Sequence, residues 1–149
     1  MTEFETKLNE LLLITATQNA SDLHIAVGQR PTIRIDGRLV PISQEPLVTP
    51  DTAKGLVMAL LTEEQQKVFS EEKEIDFAYA FEDKARFRVN VFFQRGFMAA
   101  ALRLIPAKVR TIDELGLPPI LHEFAKLNQG FILVVGPAGH GKSTTLAAM

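Results

Sequence analysis

Residues 74–105 repeat with a period of two, and only an extended strand turns successive side chains to opposite sides in that way. Ile75, Phe77, Tyr79 and Phe81 alternate with Asp76, Ala78 and Ala80 until the charged turn Glu82-Asp83-Lys84. A longer run from Ala85 to Gln94 follows, and a turn at Arg95-Gly96 returns the chain as Phe97 to Ile105. Strands joined by such short turns must pair antiparallel, so this stretch predicts adjacent strands of one sheet.

What precedes it supplies the helices. Phe4, Leu8, Leu11, Leu12 and Thr15 recur at helical spacing from Glu3 to about Thr17, and Asn19 and Ser21 close that helix. Leu23, Ile25 and Val27 predict a strand, and Ile33 and Ile35 lead into Asp36-Gly37, a hairpin dipeptide. Thr49-Pro50 is an N-cap followed by proline, with Leu56, Val57, Leu60 and Leu61 as the buried stripe, and Thr62 to Gln65 is a capping box. The expected architecture is α+β: an N-terminal domain over residues 1–105 with an antiparallel sheet and helices. Pro106, Pro118 and Pro119 bracket a linker over 106–118. Beyond it the sequence predicts a short helix from Ile120 to Leu127, a turn at Asn128-Gln129-Gly130, and an apolar strand from Phe131 to Val135.

Composition narrows the function classes. Of 149 residues, 46% are hydrophobic and the formal net charge is −2, so no global basic field exists to hold nucleic acid by counterion release. The absence of cysteine excludes disulfides and thiolate chemistry, and His24, His122 and His140 are too scattered for a metal set. All three histidines read as solvated spacers. The charged start MTEFETKLNE has no apolar signal run, and no stretch approaches the ~18 apolar residues of a membrane span, which points to the cytoplasm with peripheral membrane contact at most.

The chemistry lies near the end of the chain. Gly136-Pro137-Ala138-Gly139-His140-Gly141-Lys142-Ser143 matches G-x-x-x-x-G-K-[ST], between a β-branched run and a helix-compatible Thr144-Thr145-Leu146-Ala147-Ala148. Glycines let backbone N–H groups converge on phosphate, Lys142 would reach the β- and γ-oxygens, and Ser143 would offer its hydroxyl to Mg2+ bound with ATP. The competing reading is a glycine-rich turn with a coincidental Lys-Ser, which leaves the flanking strand and helix patterns unexplained. A triphosphatase also needs an acid on another strand and a group that positions water. Few residues follow Ser143, so the sequence reads as part of a longer chain and is not expected to turn over ATP unaided.

Taking Arg95-Gly96 as a two-residue loop pairs Gln94 with Phe97, and counting back sets Arg88 opposite Arg103 and Asn90 opposite Ala101. Phe87, Val89, Val91 and Phe93 then share the core face with Leu104, Leu102, Ala100 and Met98. Like charges directly opposed across strands are destabilising, so something anionic must compensate them. Either a ligand does so, or neighbours such as Asp76 or Glu74 do. Arg86, outermost, reads as a solvated charge.

Ser21-Asp22-Leu23-His24, Arg34-Ile35-Asp36-Gly37, Arg86-Phe87-Arg88-Val89-Asn90, Arg103-Leu104-Ile105-Pro106 and the phosphate loop occur together in an order that resembles the PilT family of type IV pilus-retraction ATPases. The resemblance spans almost the whole chain. It implies a PAS-like N-terminal domain followed, over 119–149, by the opening of a RecA-like ATPase domain. It also implies a hexameric ring acting on the type IV pilus machinery at the inner membrane, with Arg88 and Arg103 sensing the γ-phosphate. Ala138 and His140 depart from the Thr and Ser more usual in that family, both at variable loop positions. Pilus-extension and type II secretion motors share the loop and the arginines. A non-catalytic assembly or sensor module of such a motor is therefore the alternative.

Overall fold

A computed structural model describes residues 2–105, 110–137 and 140–149. The chain forms two compact units, Met1–Ile105 and Pro106–Met149.

The first unit opens with α1 (Glu3–Thr17), started by a reciprocal capping box between Thr2 and Glu5. β1 (Asp22–Ile25), β2 (Thr32–Ile35) and β3 (Arg38–Pro41) follow, then α2 (Pro50–Leu60) and α3 (Glu63–Glu72), then β4 (Glu74–Phe81), β5 (Ala85–Gln94) and β6 (Phe97–Ile105). The strands make one six-stranded sheet in the order β3-β2-β1-β6-β5-β4, antiparallel at every pairing. Two tight turns set its register. Asp36 and Gly37 lie at φ +48 and +78, and Arg95 and Gly96 at φ +52 and +82, the double left-handed geometry that matches strand twist. Arg88 consequently stands opposite Arg103, and Asn90 opposite Ala101, as the spacing predicts.

All three helices join one core against one face of the sheet. Leu8, Leu11 and Leu12 of α1, Leu56, Val57 and Leu60 of α2 and Phe69 of α3 are buried with Leu23, Ile25, Phe87, Val89, Val91 and Leu102 of the strands. Phe69 also stacks on Phe93 with ring centroids 5.2 Å apart. α1 and α2 approach closely at Gly55, where a Cβ would lie 2.5 Å from the Phe4 ring. With one face sealed by apolar contacts, period two sends the alternate side chains to the other face.

The second unit contains α4 (Ile120–Ala125) and α5 (Lys142–Ala148). Residues 106–109 of the expected linker lie outside the described residues. Within the remainder, Thr111 and Glu114 cap a turn reciprocally, at 2.9 and 3.2 Å. One expectation is corrected: Phe131 to Val135 does not form a strand, and Phe131 is 87% exposed. The run has β-forming side chains but, among the described residues, no neighbour with which to exchange backbone hydrogen bonds.

Candidate functional site

On the sheet's polar face, direct pairings line up Arg34, Asp22, Arg103 and Arg88 across β2, β1, β6 and β5. The next row holds Thr32, His24, Ala101, Asn90 and Asp76. Asp22, His24, Asp76, Arg88, Asn90, Ala101 and Arg103 line one open depression there.

Each of the two opposed arginines, Arg88 and Arg103, has an acid. Arg88 donates from Nε to both Asp76 oxygens, at 3.1 and 3.2 Å, and from a terminal amino group to Oδ2 at 2.8 Å. Arg103 donates from Nε to Asp22 Oδ1 at 3.0 Å, and Arg34 Nε lies 3.2 Å from Asp22 Oδ2. Ser21 Oγ donates to the same Oδ2 at 2.7 Å, and Asn90 Nδ2 donates to Glu74 at 2.9 Å. The sequence left open whether a ligand or acidic neighbours balance the opposed guanidiniums. Asp76 pairs with Arg88 and Asp22 with Arg103 within the chain, which offsets part of the expected cost of their apposition.

Burial pushes the Asp22 carboxyl up, but the Ser21 hydroxyl and the Arg103 guanidinium overcome this and hold it below the usual carboxylate range. The hydrogen bonds from Arg88 hold Asp76 low as well. His24 is not the solvated spacer that the sequence suggests. Its Nε2 is buried without a hydrogen-bond partner among the described residues, and burial lowers its pKa, helped by Arg34 and Arg103 and opposed by Asp22. Strand periodicity turns Asp22 and His24 away from the core residues Leu23 and Ile25, but only the pairing of β1 with β6 brings them to the face of the arginines. His122 instead contacts Asp113 at 3.1 Å.

The phosphate-loop residues belong to the second unit. Ala138 and Gly139 lie outside the described residues. Gly141 takes φ +80, a conformation that side chains rarely adopt, and is the N-cap from which α5 starts at Lys142. Lys142 Nζ donates to the Pro137 carbonyl at 2.7 Å, so the ammonium reaches back to the start of the loop, while Ser143 and Thr144 are exposed. A left-handed glycine at the helix start, a lysine ammonium and an exposed hydroxyl are groups that would suit a phosphate chain and its magnesium. Gly136, Pro137 and His140 complete the described part of the loop.

The model of the type II/IV secretion system protein family matches residues 2–149. The chain belongs to this family. It is 42% identical over 142 residues to the type IV pilus retraction ATPase PilT of Pseudomonas aeruginosa, covering 95% of the chain and 41% of that relative. It is 38% identical over 119 residues to a twitching motility protein of Neisseria gonorrhoeae, covering 80% of the chain and 32% of the relative. Among solved structures, the pilus retraction motor PilT with bound ADP superposes with a TM-score of 0.78 at 39% identity, over 95% of this chain and 41% of that one. The Legionella pneumophila ATPase DotB superposes with a TM-score of 0.81 at 25% identity, over 96% and 41%. The secretion-family chain described here thus spans about a third to two fifths of the length of these relatives. The α+β architecture is that of the matching part of PilT and DotB.

Proposed function

We propose that this chain is the nucleotide-responsive part of a P-loop motor ATPase of the pilus-retraction type, a hexamer acting from the cytoplasm on the pilus machinery at the inner membrane. The observation that carries the reading is the phosphate loop: a left-handed Gly141 opens a helix directly at Lys142 and Ser143 in a chain of this family. Residues 1–105 serve as a PAS-like sensing domain, 106–118 as the linker, and 119–149 as the start of a RecA-like domain. Lys142 would hold the β- and γ-oxygens of ATP, with Gly136 to Thr144 wrapping the phosphates. Ser143 would hold Mg2+, whose charge would be available to neutralise the transferred group. Arg88 and Arg103 supply further cations for the γ-phosphate. No helix among the described residues is long and apolar enough to cross a membrane.

ATP turnover by the full-length protein tests this. Lys142→Ala should lower it by about 100-fold or more, since the lost cation acts on the charge of the transferred group. A rate within a few-fold of the parent would remove the phosphate-loop assignment. The engagement of both hairpin arginines by acids favours a second reading, in which this unit is a non-catalytic assembly or sensor module of a related pilus-extension or type II secretion motor. Under it, Arg103→Gln would spare turnover and alter the oligomeric state; under the first, turnover falls by about 10-fold or more.

A further inference from the structure

The two opposed arginines share a face but not a mode of attachment. Asp76 serves Arg88 alone and takes Nε and a terminal amino group together, a side-on fork that neutralises the guanidinium one to one. Asp22 serves two guanidiniums at once, through the Nε of each, and leaves that group of three with a surplus positive charge. Among the described residues the terminal amino groups of Arg103 make no hydrogen bond, and its side chain is 74% exposed while that of Asp22 is 11% exposed. Arg103 is therefore anchored from behind by a buried carboxylate.

We propose that Asp22 presents Arg103 to a polyphosphate while Asp76 neutralises Arg88, so that an incoming phosphate chain competes with the Asp76 carboxylate for Arg88 but not with Asp22 for the free amino groups of Arg103. The inference rests on reading this face as a phosphate-sensing site and assigns the acids opposite roles within it. Asp22 is a positioning residue whose charge opposes an anion but whose anchoring favours it. Asp76 is a competitor for the same guanidinium. The Arg88 pair is exposed on both sides, so the latch is weak and can open for a better anion. Glu74 lies on the same strand and face as Asp76 but accepts from Asn90 rather than from an arginine. It reports what loss of one negative charge does without loss of a latch.

The test is titration of the 149-residue chain with inorganic tripolyphosphate, read by NMR at the side-chain Nε–H signals of Arg88 and Arg103, which separates this face from the phosphate loop. Asp76→Asn should tighten binding at these signals by about 2- to 5-fold, the scale of an exposed ion pair. Glu74→Gln should change it much less. Asp22→Asn should weaken binding although it also removes a negative charge, with the variant's melting curve and far-UV circular dichroism showing that it remains folded and that the loss is one of positioning. The proposal is overturned if Asp76→Asn does not tighten binding, if Glu74→Gln tightens it equally, or if Asp22→Asn tightens it. Should tripolyphosphate move neither arginine signal in the parent or in any variant, the sensing-face reading itself falls, and the competition at Arg88 with it.

Discussion

The hairpin of β5 and β6 and the run Phe131 to Val135 are built from similar side chains and meet opposite fates. Phe87, Val89 and Val91 are fully buried, whereas Phe131, Leu133 and Val135 are largely exposed and have no ladder. β5 finds its neighbour two residues away across Arg95-Gly96, and its apolar face finds three helices. Among the described residues the second run has no strand adjacent in sequence, and a parallel partner comes only after a crossover of a dozen or more residues. Side-chain preference therefore specifies a willingness to be strand, and the backbone pairing decides whether the strand exists.

The largest test of that contrast compares matched truncations. Leu102→Ala removes a buried leucine from the core and should cost about 2–5 kcal/mol. Leu133→Ala should change stability by about 0.5 kcal/mol or less, as expected for an exposed site. Urea unfolding of the chain followed by far-UV circular dichroism measures both. Equal losses would mean that the second run packs as tightly as the first.

A second test concerns how the sheet's helical cover is assembled. Alanine at Gly55 gains about 1 kcal/mol of helix propensity in α2, but its Cβ would lie 2.5 Å from the Phe4 ring. Crowding of this kind costs about 1–3 kcal/mol, so Gly55→Ala should destabilise the parent slightly and stabilise a Phe4→Ala background. The reversal of sign between backgrounds, read by the same unfolding curves, is the signature. Destabilisation in both would show that the glycine serves something other than this approach.

How much could be read from the sequence follows the same physics. The boundaries of β4, β5 and β6 and the Arg88–Arg103 register were legible because short turns leave little freedom in pairing. The caps Thr49 and Thr62 were legible because their side chains act within three residues. Asp22 was not recognised as the partner of Arg103 because β1 and β6 are distant in the chain, and nothing local announces that they become neighbours. His24 was misjudged for the same reason: its burial is created by elements that periodicity cannot place beside it. Lys142 was legible as a phosphate-loop residue, but its contact with the Pro137 carbonyl is a matter of loop conformation.

His24 offers a smaller and directional effect. Its folded pKa lies below the ordinary value because burial disfavours the charged ring. The unfolded chain therefore binds the proton first, and stability present above about pH 6.5 is lost as pH falls toward the folded pKa, levelling off below it. The melting temperature should fall across that window in the parent, and His24→Asn should flatten this part of the profile. A parent profile that rises as pH falls would contradict a half-buried imidazole held neutral.

The smallest effect separates the two arginines themselves. Arg103→Gln takes one guanidinium from a carboxylate that is mostly buried and leaves Arg34 and Ser21 to satisfy it, so the loss should be about 1 kcal/mol or less. Arg88→Gln breaks a pair whose members both stay in contact with water, and each regains solvation when the other is removed. Melting temperatures at neutral pH should therefore rank the parent and Arg88→Gln together, with Arg103→Gln below both. Acid should narrow the gap. The Asp22 carboxyl is held below the ordinary range, so its stabilising charge is present above the unfolded pKa near 4 and is lost as pH falls through the lower folded value. Once Asp22 is protonated, Arg103 has no anion to hold and the two variants should melt alike. If Arg88→Gln proves the more damaging at neutral pH, then exposure is a poor guide to which ion pair on this face supports the fold, and the anchored-versus-latched distinction loses its energetic basis.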